Sequence, residues 1–449
     1  MHPHTQAERF VMSTQSPKLS YEMLHAAVAG NEVALRAVQR LTPAGGAGDK
    51  VFPPTYEGGR YATERRIVAG TQVDTVLLDS VPSQANRMEL ALRNLHDDGR
   101  LEMPLIEVDL SEVAPQVQRI TTLDAPHRVA DAIFRDSLLG TTPFRKSEPG
   151  RAFASASARN ATSLFELCPT ALLFGMWDST GEGGGMGAKF QRALVSEIVG
   201  FDWVPGVRTS SRIDPLQISS GVPIYEDTHG DWTTDESAAA QENGKPKPFG
   251  RNKETRGKPS AINHGNVTPS IKQEEPRRDG SRSEVTLRPD GDGRVEVSVQ
   301  RQARNEMIPV SGGGTISYAT QYAVLSLPAL RRLRFPLKDG GDHDAARTLL
   351  ASLALVALAA QHREGYDLRS RCNLLPEQSR RAVEFVSAGV EPRAVYFDLG
   401  DALAVYADAV KAARAAGYTW RKEPLKLQAS AQFLELIRKS AELHARSGE

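Results

Sequence analysis

The segment from Ala345 to Gln361 is apolar on nearly every face of a helix. A helix without a polar face is a central packed helix, enclosed by the rest of its domain. Its most apolar run, Leu349 to Ala360, falls short of the ~20 residues that crossing a bilayer takes. No membrane association is therefore expected. The 449 residues leave room for one large domain with insertions, or for two or three ordinary ones.

Around that helix the patterning alternates between strand and helix. Residues 1–17 read as a flexible leader with no apolar signal core. A helical stretch follows from Tyr21 to Leu41, interrupted near Gly30 and ended by Pro43-Ala-Gly-Gly. Ile67 to Leu78 reads as a strand. Pro82 and Ser83 open a helix whose Met88, Leu92 and Leu95 share one face. Thr170 to Trp177 is short and almost wholly apolar, which suits a doubly covered strand. A glycine-rich turn, Gly181 to Gly187, joins it to a second strand over Arg192 to Trp203. Strand signals return near Val383–Val386 and Val395–Phe397, and helices over Leu399–Ala416 and Gln428–His444 close the chain.

Threaded as strand 67–79, helix 83–97, strand 170–177, strand 191–204, helix 344–362 and strand 383–397, these segments give an α+β fold. The order is the βαββαβ of a modified ferredoxin-like or RRM core, with long insertions forming hairpins and a helical periphery. Other α+β orders accommodate the same segments. The expected divisions are 18–230 for the first part of the core, 231–282 for a basic low-complexity insertion, 283–304 for a protruding hairpin around Asp290-Gly-Asp-Gly293, and 305–449 for the remainder.

Charge narrows the partners only locally. Lys plus Arg and Asp plus Glu both number 55, so any cationic surface must come from segregation of charge. Residues 245–304 hold 14 Lys or Arg against 8 Asp or Glu. From Asp231 to Arg282 apolar residues almost vanish, and disorder is expected because burial cannot offset ordering entropy. The two cysteines, Cys168 and Cys372, lack CxxC spacing. That argues against a zinc or disulfide framework and fits a cytoplasmic chain.

Motifs for chemistry are few. In the glycine-rich turn Ala188 separates Gly187 from Lys189, and Phe190 stands where a P-loop needs Ser or Thr. The glycines beside Lys189 and Arg192 permit close approach to a phosphate backbone, or simply make a flexible tip. Ser83, Gln84 and Arg87 share the first turn of their helix, where an anion is favoured; the plain alternative is a capped helix with Arg87 paired to a carboxylate. Asn86 lies in the same turn. Arg208-Thr-Ser-Ser-Arg212 and Arg369-Ser-Arg371 suit phosphates through the guanidinium fork, or form solvated faces. HExxH, GxSxG and HRD-type motifs are missing. His127 and Cys372 make a nucleophile pair only if the fold joins them, and a packing role is the simpler reading. Neither a cofactor nor a metal is expected, and the chain reads as a non-enzyme.

Three stretches together resemble a known family: Leu78-Asp-Ser-Val-Pro-Ser-Gln-Ala-Asn-Arg-Met-Glu89, His127-Arg-Val-Ala-Asp-Ala-Ile-Phe-Arg-Asp-Ser137, and Cys168-Pro-Thr-Ala-Leu-Leu-Phe-Gly-Met-Trp-Asp178 with Gly184-Gly-Met-Gly-Ala-Lys-Phe190. The chain is similar to the RAMP-superfamily backbone proteins, the "Cas seven" family, of the type I-G (formerly I-U) CRISPR Cascade complex. The resemblance implies an RRM-like core that polymerises head to tail with further copies of itself along a crRNA. It also implies target DNA paired through the guide, other Cascade subunits at the guide ends, and a recruited helicase-nuclease that cuts. On that reading guide phosphates fall to Ser83, Gln84, Asn86 and Arg87, then to Lys189, Arg192, Arg208, Arg212, Arg369 and Arg371. Arg87→Glu is expected to weaken RNA retention without unfolding the subunit. No RNP-like aromatic pattern stands on Val195 to Phe201, taken as the third strand, so backbone contacts should outweigh base stacking there. A ribonuclease acting on guide or target RNA and a nucleotide-binding α/β enzyme are the competing readings.

Overall fold

The computed structural model describes residues 18–180, 187–252, 255–271, 273–274, 286–289, 295–298, 308–309, 311–338 and 340–447. The leader 1–17 and most of the glycine-rich turn, 181–186, lie outside the described residues.

Six elements make the core: β1 (Ala34–Pro43), α1 (Val81–Asp97), β2 (Leu194–Phe201), β3 (Tyr318–Ser326), α2 (His343–Glu364) and β4 (Arg381–Val386). Their sheet order is β2-β3-β1-β4, antiparallel at every step. This is the ferredoxin-like arrangement, and α+β is the fold class. Register runs from Leu194↔Leu325 to Phe201↔Tyr318 between β2 and β3, and from Ala34↔Ser326 to Leu41↔Ala319 between β1 and β3. Thr63–Val68 and Thr71–Asp79 extend the sheet beyond β2. Cys372–Pro376 and Tyr366–Arg369 extend it along β1, and Arg393–Phe397 pairs with β4.

The threading needs three corrections. First, the first core strand is Ala34–Pro43, and it overlaps the end of the stretch read as helix to Leu41. The helix stops at Ala29, where the Gly30 N–H closes on Ala26 O. A Cβ at Gly30 would meet that carbonyl oxygen at 2.6 Å. From Leu35 to Leu41 alternate side chains are buried and the intervening ones reach outward, a period of two that only a strand satisfies. Second, Thr170–Phe174 is a short buried helix, ended by Gly175 at φ +81. A brief apolar run has no periodicity to separate the two states. Third, Tyr318–Ser326 is the third strand, and Val195–Phe201 belongs to the second.

One face of the sheet carries α1 and α2 over a continuous apolar core. From Ala345 to Gln361 every residue of α2 is buried, as its all-round apolar sequence requires. Among the described residues α2 is the one helix long and apolar enough to cross a membrane, and 89% of that stretch is enclosed by protein. A smaller sheet sets Leu425–Ala429 parallel to Ile106–Asp109.

Residues 204–315 form a second compact unit. The chain thus divides at Trp203/Val204 and Thr315/Ile316, away from the boundaries at 231 and 305 that composition suggests. Within it Val204–Val207 pairs with Ser311–Thr315, Thr209–Arg212 with Val267–Ile271, and Thr286–Pro289 with Val295–Ser298. Much of the stretch expected to be disordered, 231–252 and 255–271, is described as hairpins, turns and a strand. Burial there is slight. Carboxylates organise the backbone instead: Asp227 accepts from the N–H groups of His229 and Asp231 at 2.8 and 2.9 Å, and Asp214 accepts from those of Leu216 and Gly265 at 3.0 and 2.5 Å.

Candidate nucleic-acid interface

Asp79 ends the strand that feeds α1, and its carboxylate is fully buried. Four donors converge on it. Ser83 Oγ donates to Oδ1 at 2.7 Å, Gln84 Nε2 to Oδ2 at 2.6 Å, Arg87 Nε to Oδ2 at 2.9 Å, and Arg369 Nη2 to Oδ1 at 3.3 Å. Helical spacing sets the first three on the turn above the carboxylate. The Arg87 Nη groups go on to the carbonyls of Asp367 and Leu368. Gln84 is wholly buried, Ser83 and Arg87 are half-buried, and Asn86 is exposed. The cluster is therefore an internal brace between α1 and the Tyr366–Arg369 strand. Arg87→Glu would set a second carboxylate against a buried one, so the expectation that this change spares the fold is withdrawn.

The brace continues inward. Gln84 Oε1 accepts from Gln321 Nε2 at 2.7 Å and from Ser196 Oγ at 3.0 Å. Gln321 Oε1 in turn accepts from Arg381 Nη1 at 2.7 Å and from the Tyr366 hydroxyl at 3.0 Å. Asp79 fixes which way the Gln84 amide faces, and Gln84 fixes Gln321. Two amides thus run in one sense from a buried carboxylate to a buried guanidinium.

The family-like stretches meet in further ion pairs. Arg128 grips Glu89 bidentately, with both N···O distances 2.7 Å, and donates to Gly175 O at 3.0 Å. Burial pushes the Glu89 carboxyl up to about 7, with Arg128 pulling against it. Arg145 holds the buried Asp178 through both Nη groups. Burial opposes ionisation of Asp178, but the Arg145 guanidinium outweighs it and holds the carboxyl below its usual range.

Cations open to solvent lie elsewhere. Met176–Trp177 pairs with Lys189–Phe190, and Lys189 Nζ stands 5.4 Å from the centroid of the Trp177 ring. That indole is 55% exposed, and Arg192 is exposed two residues beyond the short strand. Gly187 is required here, because a Cβ would sit 2.2 Å from Asp178 O. Arg371 lies over the Phe52 ring at 4.1 Å. On the sheet face opposite α1 and α2, Arg40 covers Tyr318 at 3.7 Å, and Tyr318 stacks on Phe201 at 5.0 Å. Val38, Val195 and Val324 are exposed on that face. The absence of an RNP-like pattern was read on Val195–Phe201, which is the second strand; the third carries Tyr318 and Tyr322. Its signal was the alternation of Ala319, Gln321, Ala323 and Leu325 with those tyrosines.

The remaining candidates, Arg208 and Arg212, belong to the 204–315 unit. Arg208 is exposed, while Arg212 is spent on the carbonyls of His264 and Gly265 at 2.5 and 2.9 Å. Burial pushes the Cys372 thiol up to about 11, away from any thiolate. Among the described residues no three His, Cys, Asp or Glu side chains group as metal ligands would.

Residues 35–205 match the model of a family described as CRISPR-associated protein GSU0053. No curated protein matches the chain.

Proposed function

We propose, from the match of residues 35–205 to the model of the CRISPR-associated GSU0053 family, that this chain is a non-catalytic backbone subunit holding guide RNA in a type I Cascade assembly. The match to a CRISPR-associated family supports a role in CRISPR defence. The observation that carries the finer reading is the exposed Trp177 ring with the Lys189 ammonium over it. An open indole stacks on any base, and an adjacent ammonium neutralises the phosphate beside it. Such a grip tolerates every sequence, as a guide holder must, and leaves base identity to pairing. Arg371 over the half-buried Phe52 ring is a second exposed cation, whereas Arg40 over Tyr318 is already paired to Glu377 at 3.1 Å.

On this reading copies of the chain assemble along the guide with other Cascade subunits, and a separate helicase-nuclease cuts the paired DNA. The test is purification alongside a CRISPR array, followed by the ratio of absorbances and extraction of bound nucleic acid. RNA of uniform length is expected in the wild-type preparation. Trp177→Ala should lower strand affinity by about 1–3 kcal/mol. Lys189→Glu should flatten the dependence of log affinity on log salt by about 0.7 or more. A monomer that ignores oligoribonucleotides at low salt, or full guide occupancy when Trp177→Ala and Lys189→Glu are combined, refutes the assignment.

A further inference from the structure

Arg331-Arg-Leu-Arg-Phe335 follows a short helix, Leu327–Arg331, and its side chains alternate. Leu333 and Phe335 are buried and Arg331 is half-buried, while Arg332 and Arg334 are exposed. The backbone beneath them is held on several sides. Arg331 donates from Nε and Nη2 to the carbonyls of Val28 and Ala27, both at 2.8 Å. Arg347, 5% exposed, donates from Nη2 to the carbonyls of Arg331 and Leu333 at 2.9 and 2.7 Å. The Arg334 N–H bonds to Ala158 O, and Arg334 O accepts from the Ala161 N–H, again at 2.8 Å. A fixed backbone thus presents two guanidiniums to solvent.

Arg332 and Lys189 line one groove of about 320 Å³, with Ala158 and Gln191 among its walls and no acidic residue among its described lining. All four of these residues are exposed. Lys189 is also the ammonium beside the Trp177 ring, so it belongs both to the groove and to the stacking platform. Arg192 lies at the same place, for a Cβ at Gly175 would meet its Cγ at 3.0 Å. Among the described residues none of Lys189, Arg192, Arg332 and Arg334 pairs with a carboxylate. The sheet face opposite the helices is different: Arg36 pairs with Glu384, Arg40 with Glu377 and Arg66 with Glu197. In a chain with equal numbers of each charge, unpaired cations gathered at one groove are the segregation that a polyanion requires.

We propose that a single-stranded RNA seated on Trp177 and Lys189 continues across this groove, its phosphates taken by Arg332 and Arg334. The proposal rests on the guide-holding reading and carries the strand onto two residues with no part in it. Exposed guanidiniums reach phosphate oxygens without displacing any packed group, and their forks match those oxygens. An acidic protein surface would meet the same cations. The indole beside the shared Lys189 favours a strand, because it gives bases a ring to stack on while the arginines follow the backbone.

The experiment titrates the full chain, stripped of nucleic acid, with a fluorescent oligouridylate over a range of salt. Arg332→Gln with Arg334→Gln should weaken binding by about tenfold or more and flatten the slope of log affinity against log salt by about 1.4. The urea midpoint should not move, since both side chains are exposed. Arg332→Lys with Arg334→Lys, which keeps the charge, should restore the slope. Either single Gln variant should flatten it by about 0.7, which keeps the test sound should the pair disturb the fold. Weakening by the Gln pair supports the track even where Trp177→Ala has no effect, a result that would remove the indole from the guide-holding reading. Unchanged affinity and slope in the Gln pair, with Trp177→Ala still weakening the strand, overturns the track and spares that reading. A wild type that binds no oligouridylate at low salt overturns both. Loss of a co-purifying acidic protein from the Gln pair, with RNA affinity intact, assigns these cations to a protein partner and likewise overturns the proposal.

Discussion

At Asp79 two carboxylate oxygens receive four donors, and two of those donors carry the positive charge that lets the carboxylate stay buried. Removing one partner of such a pair costs about 3–5 kcal/mol. Arg87→Glu should therefore lower the urea midpoint by at least that equivalent, while Arg192→Glu, on an exposed side chain, should leave it unchanged. Chemical denaturation of the two variants side by side checks this. His362 supplies a pH dependence. Burial, then the nearby Arg381, hold its imidazole below the ordinary value. As pH falls through about 6.5 the unfolded chain takes up a proton that the folded chain refuses. Stability should accordingly decline between pH 7.5 and 5.5, and urea midpoints for His362→Gln should show a shallower decline. The sequence offered Ser83, Gln84 and Arg87 as one group, and they are one group. Their pairing to a carboxylate was within reach of the sequence, Asp79 lying four to eight residues before them, but the fourth donor was illegible, because Asp79 and Arg369 lie 290 residues apart and only the fold joins them.

Helices α1 and α2 were legible as elements, since a helical stripe in one and an all-round apolar surface in the other leave no alternative. β1 was hidden by the helix before it: Tyr21–Ala29 and Ala34–Pro43 are both rich in Ala and Leu, and only the strict alternation after Gly30 separates them. β3 was hidden by its place after a long polar stretch. A hairpin of Thr170–Trp177 with Arg192–Trp203 was expected; instead Thr170–Phe174 is helical, Met176–Trp177 pairs with Lys189–Phe190, and β2 pairs with β3 and Thr71–Asp79. Gly187 makes that pairing possible at the point where Asp178 N–H closes on Ala188 O at 3.0 Å. Gly187→Ala should force the Asp178 carbonyl aside and cost about 1–3 kcal/mol. A lowered melting temperature together with weaker strand binding is the expected pair of readings.

For the molecule as a whole, β2 and β3 are neighbours in the sheet although residues 204–315 intervene between them in sequence. Ser317 N–H bonds to Phe201 O at 3.0 Å, so the two ends of the intervening unit leave the sheet one ladder step apart. Replacing residues 204–315 with a tight Asn-Gly-type turn should preserve the ferredoxin-like body. A single cooperative melt with unchanged far-ultraviolet dichroism per core residue is the expected result, and loss of cooperativity would count against it. The family match closes at residue 205, beside this same junction. The core thus treats the whole 204–315 unit as the loop of a β-hairpin. A foreign domain fused in place of that unit should therefore leave the contacts beneath the sheet undisturbed, as a hairpin tolerates a change of its loop.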